Sequence, residues 1–341
     1  MQRLHAALAA HGLGMINLGS ISEQTLAGML TTATHGTGVD HKVLSTHVQA
    51  VRLLQADGAK VTCSRDRYPD LFFATLCGLG STGIILDVRL EVTPAFRLRE
   101  VQETFQFDDV INRLDTVARS AEFVRLWWWP QGGDVRVSVM DKTQEVRGET
   151  SLRSDPVIGP SDLLLFRQPR RPLQSWLWHS LMGYHVIQFL LFLGLFIPRC
   201  NIWTGWLSSW LVRDKTISVD DSLNVFNIDC KVLPLSYVSL HLRMLTPTLR
   251  QYRQYTIEWA VPYSHAQSCL RELRDWLETE FRDPGGLRPH CCIEIRFSDA
   301  DDIWLSPSYG QRTCWIGIVQ WKCVVFFVWH RGGTHPAIFC R

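Results

Sequence analysis

The sequence predicts an α+β fold in two domains, and three observations support this. Strand-like and helix-like stretches are mixed in an order that lacks the regular alternation of a doubly wound sheet. The 341 residues suit roughly two domains. An apolar fraction of 46% supplies ample material for a core.

From the amino end, Arg3 to His11 has helical apolar spacing, with Gly12 and Gly14 as stop signals. The opening stretch lacks the long apolar core of a secretion signal and reads as the middle of a helix, as if the true beginning lay upstream. Ala27 to Gly38 is small and hydroxyl-rich, a turn-rich region. Val48 to Leu54, Lys60 to Cys63 and Ile84 to Val92 alternate or run apolar as strands do, and Asp57-Gly58 makes a hairpin turn between the first two. Asp70 to Leu76 is a helix ending near Gly78. From Phe96 the pattern changes to a strand over Leu98 to Phe107, a helix over Asp108 to Ser120 with Asp108 and Asp109 at its N-cap, and strands over Phe123 to Trp129 and Asp134 to Met140. Residues 142 to 174 are charged, Pro-rich and aperiodic, a long excursion.

A formal charge of +2 from 35 basic and 33 acidic residues gives no broad basic field, which excludes nucleic acid as a partner. Ten cysteines without C-x-x-C spacing favour a reduced, intracellular protein with no metal site. Cys291 and Cys292 read as neighbouring strand residues pointing to opposite faces. Trp176 to Pro198 is the most apolar region, yet His179, His185 and Gln188 interrupt it, and a spanning helix needs about 20 apolar residues. With Arg167, Arg170 and Arg171 upstream and Trp176, Trp178 and Trp203 around it, residues 167–198 have two readings: a segment lying in a membrane interface, or a buried helix.

Two stretches carry the chemistry. Gly19 to Gly38 combines glycines, which let backbone approach a flat or anionic ligand, with Ser and Thr hydroxyls that can bond phosphate or flavin oxygens. In Ile293 to Phe297, period-two alternation puts Glu294 and Arg296 on one strand face and Ile293, Ile295 and Phe297 on the other. Each pattern alone also fits an ordinary loop or a solvated strand face.

The string from Gly19 through Ala33-Thr34-His35-Gly36-Thr37-Gly38 resembles the second half of the flavin-binding domain of vanillyl-alcohol-oxidase-like enzymes, and of the aldonolactone oxidases above all. Gly78 to Leu90 followed by Pro94-Ala95-Phe96 is similar to the segment closing that domain, and Ser298 to Tyr309 resembles the lactone oxidase C-terminal domain. The stretches 158–162, 172–176, 183–186, 220–222, 226–231, 258–262 and 287–290 look like fungal-type D-arabinono-1,4-lactone oxidases. The resemblance implies the second half only of a PCMH-type FAD-binding domain over residues 1–95, followed by an α+β substrate domain over 96–322.

It further implies FAD as cofactor. Ser20, Thr25, Gly28, Thr32, Thr34, His35 and Gly36 would line its pyrophosphate and flavin, and Ile85 would offer backbone on the adenine side. His35 is not the flavin-linked histidine of these oxidases, which lies in a Gly-His-Ser element upstream. Glu294 and Arg296 would face the flavin as the catalytic pair, acting on a sugar lactone with oxygen as acceptor and hydrogen peroxide as product, in a pathway to erythroascorbate or ascorbate-like compounds. By the same resemblance the location is intracellular and membrane-associated, at a mitochondrial membrane.

Three departures from the family pattern are expected to matter. The half-domain with the Gly-rich phosphate loop would precede Met1, so the chain given is expected not to hold FAD stably. Val232 to Gln251 fits nothing in the family and has the end residues of a short intron read in frame. Cys323 to Arg341 replaces the family's closing His-Trp-x-Lys stretch with an apolar, aggregation-prone tail.

Overall fold

The computed structural model describes residues 1–21, 24–145, 183–194, 196–197, 199–211, 213–226, 254–283, 286–289 and 291–321. Helix α1 (Gln2–Ala9) leads into β1 (Leu13–Gly14), and α2 (Leu26–Thr31) follows. A small antiparallel sheet then places β2 (Val48–Leu54) between β3 (Lys60–Ser64) and β4 (Ile84–Leu90). Gly58 turns the β2–β3 hairpin at φ +84°, a conformation glycine adopts without a Cβ penalty. Helix α3 (Pro69–Thr75) carries proline in its first turn, and β5 (Thr93–Pro94) returns to pair with β1. Leu30, Val51, Leu53, Cys63, Phe72 and Leu76 form the core of this part.

The larger sheet has seven antiparallel strands. They are β6 (Arg97–Gln106), β7 (Phe123–Trp129), β8 (Asp134–Thr143), β9 (Thr216–Asp221), β10 (Gln254–Pro262), β11 (Ile293–Ser298) and β12 (Thr313–Trp321), in the spatial order β10-β12-β11-β7-β8-β6-β9. Each strand alternates side chains between two faces, and the register keeps like with like. On one face Ile293, Ile295 and Phe297 of β11 meet Val124, Leu126 and Trp128 of β7, and Val135 and Val137 of β8. That face is covered by α4 (Phe107–Ile111), α5 (Leu114–Ala118) and, further along the chain, the 17-residue helix α9 (Ala266–Arg282). The opposite face carries Glu258, Trp315, Glu294, Arg296, Trp127, Arg125, Ser138, Arg136 and Glu100 across six strands.

Three further helices complete the described chain: α6 (Gly183–Gly194), α7 (Cys200–Leu211) and α8 (Ser222–Phe226). Helix α7 is inverted relative to an ordinary surface helix. It buries Cys200, Asn201, Thr204, Ser208 and Ser209 and exposes Trp203, Trp206 and Trp210, each at least half exposed. Ser209 donates to Asp134 of β8, which accounts for one of the buried hydroxyls.

Several expectations are corrected. The single helix over Asp108 to Ser120 is two short ones, and the cap position falls on Gln106, with Asp108 and Asp109 inside the first turn. The break is held by α9: Gln267 donates to the Ile111 carbonyl at 2.7 Å and Arg271 to Asn112 Oδ1 at 2.6 Å. The turn-rich stretch from Ala27 contains α2, which Thr25 caps by accepting from the Gly28 N–H at 2.9 Å. Cys291 and Cys292 precede β11 rather than lying in it. Most of 167–198, all of 232–251 and the tail from 323 lie outside the described residues.

Trp128 is 1% exposed and packs on Phe107 with ring centroids 4.7 Å apart. Trp128→Ala should therefore cost about 3–5 kcal/mol of folding free energy, read as a fall in the urea midpoint.

Candidate active site

The polar face of the large sheet concentrates charge that has left water, which is costly unless each group is paired. Arg296 of β11 is 9% exposed. Its Nη2 donates to Glu258 Oε1 of β10 at 2.9 Å, its Nη1 donates to the His35 carbonyl at 3.4 Å, and its Nε stands 3.6 Å from Glu294 Oε1 on its own strand. Ser20 Oγ donates to Glu294 Oε1 at 3.4 Å. The sheet register explains the meeting of the two carboxylates: Gly317 of β12 lies opposite Glu258 on one side and Glu294 on the other. A Cβ on Gly317 would sit at ordinary contact distance, 3.6 Å from Glu258 Oε1 and 3.8 Å from Glu294 Cβ, so no side chain stands between the two acids on β12.

His35 enters from the loop after α2. Its Nε2 is 3.1 Å from Glu258 Oε2, its Nδ1 is 2.9 Å from the Gly36 carbonyl, and its ring stacks on Trp315 at 3.8 Å and 14°. Trp315 is fixed in turn by donating to Ser298 Oγ at 2.8 Å. The loop is held by Asn17, which donates to the Thr37 carbonyl at 2.8 Å, and by Thr37, which donates to the Val124 carbonyl of β7. A Cβ on Gly36 would fall 1.9 Å from Asn17 Oδ1, so the protein's own packing requires glycine there. Gly38 turns the loop at φ +123°, and a Cβ there would lie 2.7 Å from the Glu122 carbonyl.

Charge follows geometry. Burial pushes the Glu258 carboxyl up, but the Arg296 guanidinium and the His35 ring outweigh it and hold it down to about 2. Burial pushes the His35 ring below the usual histidine range and Arg296 adds to this, while Glu258 pulls the other way without reversing it.

Ser20, His35, Glu294 and Arg296 are thus brought together. Thr25, Gly28, Thr32 and Thr34 lie at α2 and just after it, and their groups have local partners: Thr32 donates to the Gly28 carbonyl at 2.8 Å, and Gln24 to Thr34 Oγ1 at 3.3 Å. Ile85 lies on β4, half-buried against the core of the small sheet. Sequence reasoning gave no role to Glu258 or Trp315, which complete the cluster. Three buried donors on the polar face, Arg125 Nε, Trp127 Nε1 and Arg296 Nε, have no hydrogen-bond partner among the described residues. Unmet donors on this face fit a flat ligand with acceptor edges, such as a flavin ring, or an oxygen-rich substrate.

Residues 88–236 and 236–328 match the D-arabinono-1,4-lactone oxidase family. The chain belongs to that family. Residues 1–64 match an FAD-binding domain, which gives FAD as the cofactor of this fold. Among curated relatives, L-gulonolactone oxidase of Scyliorhinus torazame is 31% identical over 94% of this chain and 62% of its own length. D-arabinono-1,4-lactone oxidase of Yarrowia lipolytica is 37% identical over 92% of this chain and 52% of its own. The chain therefore spans about half to three fifths of such relatives. A solvent-stable cholesterol oxidase superposes with a TM-score of 0.62 at 16% identity, covering 94% of this chain and 62% of that one. The expected α+β fold, with part of a PCMH-type FAD-binding domain, is what the lactone oxidase family match and this likeness show.

The depressed Glu258 pKa has a signed consequence. A carboxyl whose folded pKa lies below its unfolded value contributes stability that is full above the unfolded pKa and lost as pH falls through the folded one. The stability gap between the wild type and Glu258→Gln should stay constant above about pH 5 and shrink between about pH 4 and about pH 2, followed by urea unfolding.

Proposed function

We propose that the protein oxidises an aldono-1,4-lactone of the D-arabinono-1,4-lactone type at its C2 hydroxyl. The observation that carries this is the meeting of Glu294 and Arg296, side by side on β11, with Ser20 and His35 of the FAD-binding stretch. FAD, when bound, supplies the two-electron acceptor for the C2 hydrogen, and oxygen takes those electrons with two protons to give hydrogen peroxide. Glu294 accepts the hydroxyl proton, for which a placed carboxylate is suited. Arg296 bonds the lactone oxygens and stabilises negative charge gathering at the site as the hydroxyl is deprotonated. Ser20 orients Glu294 through its hydroxyl. The product belongs to a route towards erythroascorbate or ascorbate-like compounds.

Glu294→Gln should lower the rate constant for flavin bleaching by the lactone about 100-fold or more. Arg296→Lys, which keeps charge but loses the planar fork, should lower kcat/KM about 100-fold. The measurement is anaerobic loss of the flavin's visible absorbance in FAD-loaded full chain, with peroxide assayed on admitting air. A loaded protein that no aldonolactone bleaches overturns the reading.

A second reading concerns where the protein sits: intracellular and attached to a membrane surface. No helix among the described residues is long and apolar enough to cross a membrane. The supporting observation is the exposed apolar side of α6, α7 and the link between them, with Phe189, Phe192, Phe196, Ile197, Trp203, Trp206 and Trp210 outward. Residues 183–211 contain no Asp or Glu, and Arg199 is their single Lys or Arg. Such a surface suits lipid headgroups and the first acyl carbons. Full chain should float with phosphatidylcholine vesicles containing phosphatidylserine, and the triple variant Trp203→Ser, Trp206→Ser, Trp210→Ser should remain at the bottom of the gradient. Equal flotation of both, or of neither, removes this reading.

A further inference from the structure

We propose that Glu258 is the positioning residue of this site, one carboxylate that fixes both the direction of the Arg296 guanidinium and the tautomer of His35. The inference rests on the proposed oxidation for its kinetic consequence, but not for its structural one.

His35 presents two ring nitrogens, and each faces an acceptor: Gly36 carbonyl at 2.9 Å from Nδ1 and Glu258 Oε2 at 3.1 Å from Nε2. A neutral imidazole has one N–H to offer, so only one of these contacts is a hydrogen bond. A bond to an ionised acceptor is roughly twice as strong as one to a neutral carbonyl. The proton therefore stands on Nε2, donated to Glu258. The other carboxylate oxygen of Glu258 accepts from Arg296 Nη2 at 2.9 Å. With both oxygens engaged, Glu258 ties a loop of the FAD-binding stretch to β11.

Without that tie Arg296 keeps only Glu294 and a long contact to the His35 carbonyl. The guanidinium would then turn towards Glu294, the group assigned to accept the substrate proton. Glu258 thus keeps Glu294 and Arg296 in separate roles by giving the cation a second, stronger anionic partner. Glu258 touches neither the Ser20 hydroxyl nor the unmet Trp127 donor in the described contacts, so its effect on the reaction runs through Arg296 and His35.

The replacement Glu258→Gln has a signature that a merely structural role would not produce. The glutamine carbonyl oxygen is claimed by Arg296, which donates only, so its NH2 faces His35. Nε2 must then accept, and the proton moves to Nδ1, where it bonds the Gly36 carbonyl. The experiment is nitrogen NMR of ring-labelled histidine in full chain near neutral pH, with the His35 signals assigned through His35→Gln. Wild type should show neutral His35 protonated on Nε2, Glu258→Gln should show it protonated on Nδ1, and Arg296→Lys should keep the wild-type tautomer. Wild-type His35 protonated on Nδ1 overturns the proposal even if neither variant folds. So does an Arg296→Lys spectrum that switches as Glu258→Gln does. In FAD-loaded protein Glu258→Gln should lower the bleaching rate about 100-fold with a smaller change in lactone affinity, because a misplaced group costs rate first. If the tautomers behave as stated and no aldonolactone bleaches even the wild type, the positioning stands and the substrate assignment falls.

Discussion

A guanidinium taken out of water has to be neutralised where it stands, and the polar face of the large sheet is organised by that demand at Arg296. Its partners come from β10, from β11 and from the loop at His35, so pairing one side chain requires three segments to be in register. The same rule repeats along the face. Arg125 of β7 bonds Glu100 at 3.2 Å and the Val225 carbonyl at 3.0 Å, and Ser138 donates to Glu100 at 2.6 Å. Arg136 bonds Gln102 and Thr216 at 2.9 Å each. Breaking such pairs from one side leaves a buried ion and is strongly destabilising, whereas the apolar face tolerates volume-conserving exchange.

Alternation made much of this legible. The ends of β2 and β7 follow from the sequence pattern alone, β7 as an aromatic and β-branched run, and the shared face of Glu294 and Arg296 follows because a strand repeats every two residues. Glu258 was not legible as a site residue for a specific reason. On β10 the apolar neighbours Ile257 and Trp259 are about half exposed, so the strand does not show the usual contrast between a buried apolar side and a wet polar one. Trp315 was hidden differently. Cys314, Trp315 and Ile316 are all buried, and a run apolar on both faces does not say which face holds the flavin-side residues. Helix α2 escaped because Gly28 and Thr31 are weak helix formers. It is completed by tertiary bonds, with the Cys77 and Leu79 amides donating to Leu30 and Thr31 carbonyls at 3.1 Å each.

Helix α7 shows the opposite economy from the sheet. The sheet hides its charges beneath protein, while α7 turns hydroxyls inward and indoles outward. Its inward side is satisfied in part by Ser209 on Asp134 and by Thr204 donating to the Cys200 carbonyl at 2.9 Å. Gly205 sits where a Cβ would fall 2.2 Å from the Gln131 side chain, so the helix lies close against the β7–β8 turn. Among the described residues, the packing of α7 against the sheet rests on its small and hydroxyl side and leaves the three indoles outward.

The contacts that make the charge cluster join residues 223, 261 and 274 positions apart. Closing loops of that length is slow and is repaid only after local elements exist. The His35–Glu258 bond therefore carries a large closure cost, and an emerging polypeptide cannot hold it until β10 has been synthesised. The small sheet and the β7–β8 hairpin need no residue beyond 145 for their strand pairing, whereas the charge cluster needs both ends of the described chain.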